Sequence, residues 1–184
     1  MTERDDTKIS AVVRRDSRYV AIHEVCQLPG GHRADGIALG FGKDGLRVLD
    51  GIVDQSCVAA VEAKDVQPWM SGIRWDLVQA AGGNWCLLNQ GLRAAALTRM
   101  GDAVGLGHLG LGWPSPEQSW RMFRREDGSA CMLRNQAGGW LSLAEDGPVM
   151  LVRRFDTPDD SLLWSVLDAA PMLHNSSTAG SEAL

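Results

Sequence analysis

The stretch Trp120 to Gln136, with Cys131-Met132-Leu133-Arg134-Asn135-Gln136 at its end, repeats the stretch Trp75 to Gln90, which ends Cys86-Leu87-Leu88-Asn89-Gln90. One residue is gained before the Asn-Gln pair. Beyond it Ala95-Ala96-Leu97 falls against Leu141-Ser142-Leu143, Gly101 against Gly147 and Val104 against Val149. Trp164 marks a third occurrence of the tryptophan, so Trp75, Trp120 and Trp164 divide the chain at steps of roughly 45 residues, the scale at which one supersecondary unit recurs. The start of the chain supplies a looser copy, Ala11-Val12-Val13 followed by Arg18-Tyr19-Val20-Ala21-Ile22. Its tryptophan would be Trp75, so this copy must carry an insertion, and Cys26 to Phe41, rich in glycine, is the expected loop.

Within the copies, short apolar runs such as Trp140-Leu141-Ser142-Leu143 and Val149-Met150-Leu151 are bounded by Lys43-Asp44-Gly45, Glu126-Asp127-Gly128 and Glu145-Asp146-Gly147. Asp-Gly tolerates the positive φ of tight hairpin turns, so short antiparallel strands are expected. One helix is expected from Val53 to Val66, with Asp54 as its cap. From His174 onward Asn-Ser-Ser-Thr-Ala-Gly-Ser reads as part of a disordered tail. The expected organisation is a polar segment at 1–6, one domain at 7–169 with its insertion at 26–41, and the tail at 170–184.

Three repeats of about four strands, each closed by a bulky apolar residue, make the chain resemble the β-trefoil superfamily. The resemblance implies an all-β fold with six barrel strands and six cap strands; another closed antiparallel β-barrel is the alternative. Gln118-Ser119-Trp120 matches the QxW signature of ricin-B-like lectin repeats, while Ile73-Arg74-Trp75 and Leu162-Leu163-Trp164 lack its glutamine. Ricin-type sites use an aspartate in a Cys-Leu-Asp-Val-like strand to accept hydrogen bonds from sugar hydroxyls. The matching residues are read as Ala21, Ala96 and Ser142, and none of these offers a carboxylate. Gly139-Trp140-Leu141-Ser142-Leu143-Ala144-Glu145-Asp146-Gly147 resembles the fascin-like pattern.

The composition narrows the partners. The chain has 184 residues, 45% of them hydrophobic, and a formal charge of -5 with no basic stripe, which argues against nucleic acid. No apolar run is long enough to span a membrane, and a cytoplasmic protein with Cys26, Cys57, Cys86 and Cys131 reduced is expected. His23, Cys26, His32 and Cys57 are zinc-ligand types without knuckle spacing, so no metal and no cofactor is expected. Cys86 and Cys131, placed at equivalent repeat positions, read as core residues. The glycines from Gly101 to Gly112 do not open a helix, which removes a dinucleotide fingerprint.

The expected function is a non-catalytic module recognising carbohydrate or a protein surface. A small β-barrel cyclase shaping a hydrophobic small molecule is the alternative, with one or both of Trp69 and Trp85 lining its cavity. Protease inhibition through an exposed loop is third. The candidate ligand-binding residues are Asp102, His108 and Trp113 on the long glycine-rich segment, and Asn135, Gln136 and Asp146 near the last repeat's turns; no catalytic role falls to any of them.

Overall fold

A computed structural model describes residues 19–28, 34–41, 46–52, 56–91, 95–125, 130–143, 149–152 and 160–178. Thirteen strands appear in chain order: β1 Tyr19–Ile22, β2 Ile37–Phe41, β3 Arg47–Ile52, β4 Cys57–Glu62, β5 Trp75–Gln79, β6 Trp85–Asn89, β7 Ala95–Met100, β8 Ala103–His108, β9 Trp120–Arg125, β10 Cys131–Asn135, β11 Trp140–Leu143, β12 Val149–Val152 and β13 Trp164–Asp168. A helix, α1, follows at Ala169–Thr178.

The antiparallel pairings β2–β5, β5–β6, β6–β9, β9–β10, β10–β13 and β13–β2 return to their starting strand, so six strands form a closed barrel. Closure leaves no barrel edge to be capped. The other strands of each set form the hairpins β3–β4, β7–β8 and β11–β12, and these touch where β8 pairs with β4 and with β12. Strand β1 lies outside this pattern, paired along β9.

Three indoles repeat one contact. Trp75 Nε1 donates to the Leu49 carbonyl at 3.1 Å, Trp120 Nε1 to Leu97 at 3.0 Å and Trp164 Nε1 to Leu141 at 3.0 Å, spanning 26, 23 and 23 residues. All three rings are fully buried. Each therefore fills the core while its polar edge is satisfied by a hairpin strand that its own strand does not pair with, which avoids the cost of an orphaned donor. Trp75 and Trp120 begin strands that pair forward, β5 with β6 and β9 with β10, whereas Trp164 begins β13, which pairs back with β10 and β2.

These contacts fix a register that differs from the one read in the sequence. Leu49, Leu97 and Leu141 are equivalent, and the pairs Gly40–Val48, Leu88–Ala96 and Arg134–Trp140 agree. Asn89 and Asn135 are also equivalent, opposite Trp75 and Trp120. Cys131 therefore matches Trp85 rather than Cys86, because the extra residue falls in the turn after β9 and not before the Asn-Gln pair. Leu97 matches Leu141 rather than Leu143. A shift of two residues keeps every side chain on its own sheet face, so the apolar pattern does not reveal it.

Three further expectations are corrected. The helix expected over Val53 to Val66 is not found in its described part, and its expected cap Asp54 lies outside the described residues. Cys57–Glu62 is strand β4 and only Ala63–Asp65 makes a 3-10 turn, because Val58 and Ala60 pack on one cluster and Val61 and Ala63 on another, each at period two. The segment 26–41 is not wholly an inserted loop, since Ile37–Phe41 is a barrel strand with Ile37, Ala38 and Leu39 buried. The tail begins as α1, whose Ala169, Met172 and Leu173 pack on a second cluster with Val48, Val66 and Ile73. Asp168 Oδ1 accepts the Ala170 N–H at 3.1 Å at its start. Among the described residues no helix is long and apolar enough to cross a membrane.

Candidate functional site

The six residues singled out in the sequence do not meet. Asp102 is exposed just before β8 and His108 is exposed at its other end, with the strand between them about 17 Å long at ~3.3 Å per residue. Their backbones have structural work: the Asp102 carbonyl accepts Leu151 N–H at 3.1 Å and the His108 carbonyl accepts Gln118 Nε2 at 3.0 Å. Trp113 is half-buried in the loop between β8 and the 3-10 turn Pro116–Gln118. Asp146 lies outside the described residues.

Asn135 lies in the interior rather than on the surface. Its side chain is fully buried, Nδ2 donates to the Glu117 carbonyl at 2.8 Å, and Oδ1 accepts Ala137 N–H at 2.9 Å. Asn89 does the same one repeat earlier, with Gly72 as acceptor at 2.8 Å and Gly91 as donor at 2.9 Å. These amides tie the segment before a tryptophan strand to the turn after its partner. Gln136 is exposed, and its backbone N–H donates to the Ser119 carbonyl at 2.8 Å.

The corrected register exposes a residue the sequence reading passed over. The first-repeat counterpart of Ser142 and Thr98 is Asp50, one residue after the tryptophan-bonded Leu49, and not Ala21, which lies on the added strand β1. Asp50 is partly buried and has no hydrogen-bond or ion-pair partner among the described residues. Burial alone pushes its carboxyl above the usual carboxylate range. Thr98, by contrast, is spent internally: its hydroxyl donates to the Ala96 carbonyl at 2.7 Å and accepts Gly107 N–H at 3.1 Å.

Beside Asp50 runs the 3-10 turn Ser71–Ile73. A methyl group on Gly72 would collide with both the Asp50 carboxylate and the Gly51 carbonyl, so glycine is what allows this close approach. Two residues before the turn stands Trp69, 76% exposed, its carbonyl accepting Ser71 N–H at 2.9 Å. Met70 next to it packs in the cluster that holds Val48, two residues from Asp50 on the same strand face. A half-buried acceptor and a bare indole thus flank one short turn. Of Trp69 and Trp85, one or both of which were expected to line a cavity, Trp85 is fully buried with Nε1 donating to the Ile22 carbonyl at 2.9 Å, and Trp69 faces solvent.

The thiols divide in the same manner. Cys86 is buried and donates to the Gln118 carbonyl at 3.0 Å, with its pKa pushed up to about 11 by burial; Cys131 is pushed up to about 12 for the same reason. Neither is a nucleophile at neutral pH. Cys26 is exposed, 3.5 Å from Glu24 Oε2. Among the described residues no three His, Cys, Asp or Glu side chains converge.

No protein-family model matches this sequence, and no curated protein matches it. Solved structures do share its fold. A mosquitocidal holotoxin aligns over 72% of this chain at 12% identity with a TM-score of 0.59. Cry35Ab1 aligns over 72% at 12% identity with a TM-score of 0.60. An endo-β-galactosidase from Clostridium perfringens that releases GlcNAcα1-4Gal aligns over 72% at 11% identity with a TM-score of 0.59. The aligned part spans only 17%, 35% and 32% of those chains. The designed threefold-symmetric protein ThreeFoil aligns over 73% of this chain and 99% of its own, at 18% identity and a TM-score of 0.55. At these identities the likeness is one of fold.

Proposed function

We propose that the chain is a β-trefoil whose first repeat carries a carbohydrate-binding site built on Asp50 and Trp69, with no catalytic step. The observation that carries this reading is the Asp50 carboxylate: partly buried, it bears a desolvation cost that no hydrogen bond or ion pair among the described residues offsets. An ionised carboxylate accepts hydrogen bonds from two adjacent sugar hydroxyls, each about twice as strong as a neutral pair. The indole of Trp69 supplies a flat apolar face for the C–H surface of a pyranose ring. Thr98 and Ser142 at the equivalent positions lack the charge, so one site per chain is the expected stoichiometry.

Two further observations support this class. Four interior indoles, those of Trp75, Trp85, Trp120 and Trp164, bond backbone carbonyls, so their polar edges are spent on the fold itself rather than on a bound small molecule. One structural neighbour also acts on a glycan, and the shared fold occupies about a third of it. The test is binding to immobilised glycans followed by calorimetry on any glycan captured, with a hydrophobic polyene panel alongside. Asp50→Asn and Trp69→Ala are expected to lower affinity at least tenfold while the melting temperature does not fall, and Trp113→Ala is expected to leave affinity unchanged. Retained binding in Asp50→Asn, or a response to polyenes alone, overturns the proposal.

A further inference from the structure

A second group of side chains, away from Asp50, gathers where the three hairpins touch. In β8, Val104 and Leu106 point into the core, so Ala103 and Gly105 face outward. Ala103 is flanked by two methionines, Met100 across the β7–β8 pairing and Met150 across the β12–β8 pairing. Gly105 stands opposite Cys57 of β4. Residues directly opposite share a face with Cβ atoms roughly 4.5–5.5 Å apart, which puts Met100, Met150 and Cys57 on one surface.

The methionines are exposed, at 45% and 38%, although a long apolar side chain gains by burial. Met100 is moreover folded over Gly105: its Sδ lies 2.8 Å from where a Cβ on that glycine would stand, alongside the Ser56 carbonyl at the same distance. The space that Gly105 leaves empty is thus filled by a thioether on the flank of Cys57. Met150, opposite the small residues Ala103 and Ser142, has three rotatable bonds through which its sulfur can swing toward the other two.

We infer that Cys57, Met100 and Met150 form a binding site for a cuprous ion, with one sulfur ligand from each of the three hairpins. One thiolate and two thioethers are a soft donor set, which suits Cu(I) over the harder divalent ions that favour imidazole and carboxylate. Binding replaces the Cys57 S–H by an S–Cu bond and releases that proton to solvent; no electron is transferred. Because the three ligands come from β4, β7 and β12, the ion cross-links hairpins that otherwise meet through single paired residues. Copper therefore stabilises the fold by mass action.

The test uses the whole chain in a Cys26→Ser background, which removes the exposed competing thiol; Cys86 and Cys131 are fully buried. Cu(I) is titrated anaerobically against bicinchoninate, and the melting temperature is followed. The expected result is one equivalent withheld from the chelator, an all-sulfur shell by X-ray absorption, and a melting temperature that rises with copper. Cys57→Ser, Met100→Leu and Met150→Leu are each expected to weaken binding at least tenfold with unchanged near-UV circular dichroism. If Cys57→Ser fails to fold, the two exposed methionine positions decide. No equivalent withheld, a nitrogen-containing shell, or undiminished affinity in the Met100→Leu/Met150→Leu double variant overturns the inference.

Discussion

Replacing Asn135 by alanine separates a structural amide from a ligand contact. The substitution removes the 2.8 Å bond to the Glu117 carbonyl and the 2.9 Å bond from Ala137 N–H. Each is worth about 1 kcal/mol net, and a buried group left without a partner adds about 1–3 kcal/mol. Glu117 is exposed, so water reaches its carbonyl, whereas Ala137 is half-buried and recovers less. The expected loss is about 2–3 kcal/mol, which for a domain of this size lowers the melting temperature by roughly 5–10 °C. Urea denaturation measures it directly, with the m-value unchanged. Asn89→Ala is expected to cost more, because its acceptor Gly72 is buried. Glycan affinity of the folded fraction should be unaltered in both variants. A loss below ~0.5 kcal/mol, within the range of an ordinary surface substitution, would refute the reasoning, as would loss of binding with stability intact.

The other predictions concern titration. Burial raises the Asp50 carboxyl in the folded state, so between the unfolded value near ~3.9 and the raised folded value the native chain holds a proton that the unfolded chain has lost. Ionisation of Asp50 therefore costs stability as pH rises through that window. Asp50→Asn should be more stable than the parent at pH 7, with the difference closing as pH falls toward 4. A difference in urea midpoints that widens on acidification contradicts this. Cys86 and Cys131 are expected to resist iodoacetamide at pH 8 in the folded protein while Cys26 reacts, and all three should react in urea, as read by peptide mass mapping. Labelling of Cys131 as fast as Cys26 would show that the β10 core opens freely.

How far the sequence could be read depended on what kind of signal each residue left. The tryptophans at 75, 120 and 164 were legible because the same indole-to-carbonyl bond selects the same large ring three times. Register was not, because a strand slipped by two residues presents an identical inside and outside. A different displacement hid Asp50: with the first copy placed on the added strand at Ala21, the triplet Leu49-Asp50-Gly51 was never set beside Leu97-Thr98-Arg99 and Leu141-Ser142-Leu143. Asn135 was visible as a repeated residue, yet repetition of a polar side chain marked a shared hydrogen-bond duty rather than a binding surface. Trp69 left no periodic signal, and its exposure follows only from the turn at Ser71–Ile73.

The pairing of β13 with β2 bears on how the protein is made. Trp164 to Asp168 lie beside Phe41 to Ile37, so the barrel is completed by a strand that leaves the ribosome more than a hundred residues after its partner. Until then β2 and β10 each present an unpaired edge in the nascent chain. Closure of so long a loop makes folding slow, and the wait leaves the β2 edge, with its buried-to-be Ile37 and Leu39, open to pairing with other chains. Translation arrested before Trp164 should therefore yield an aggregating species rather than a smaller stable one, and the cell's early handling of this protein is governed by its last strand.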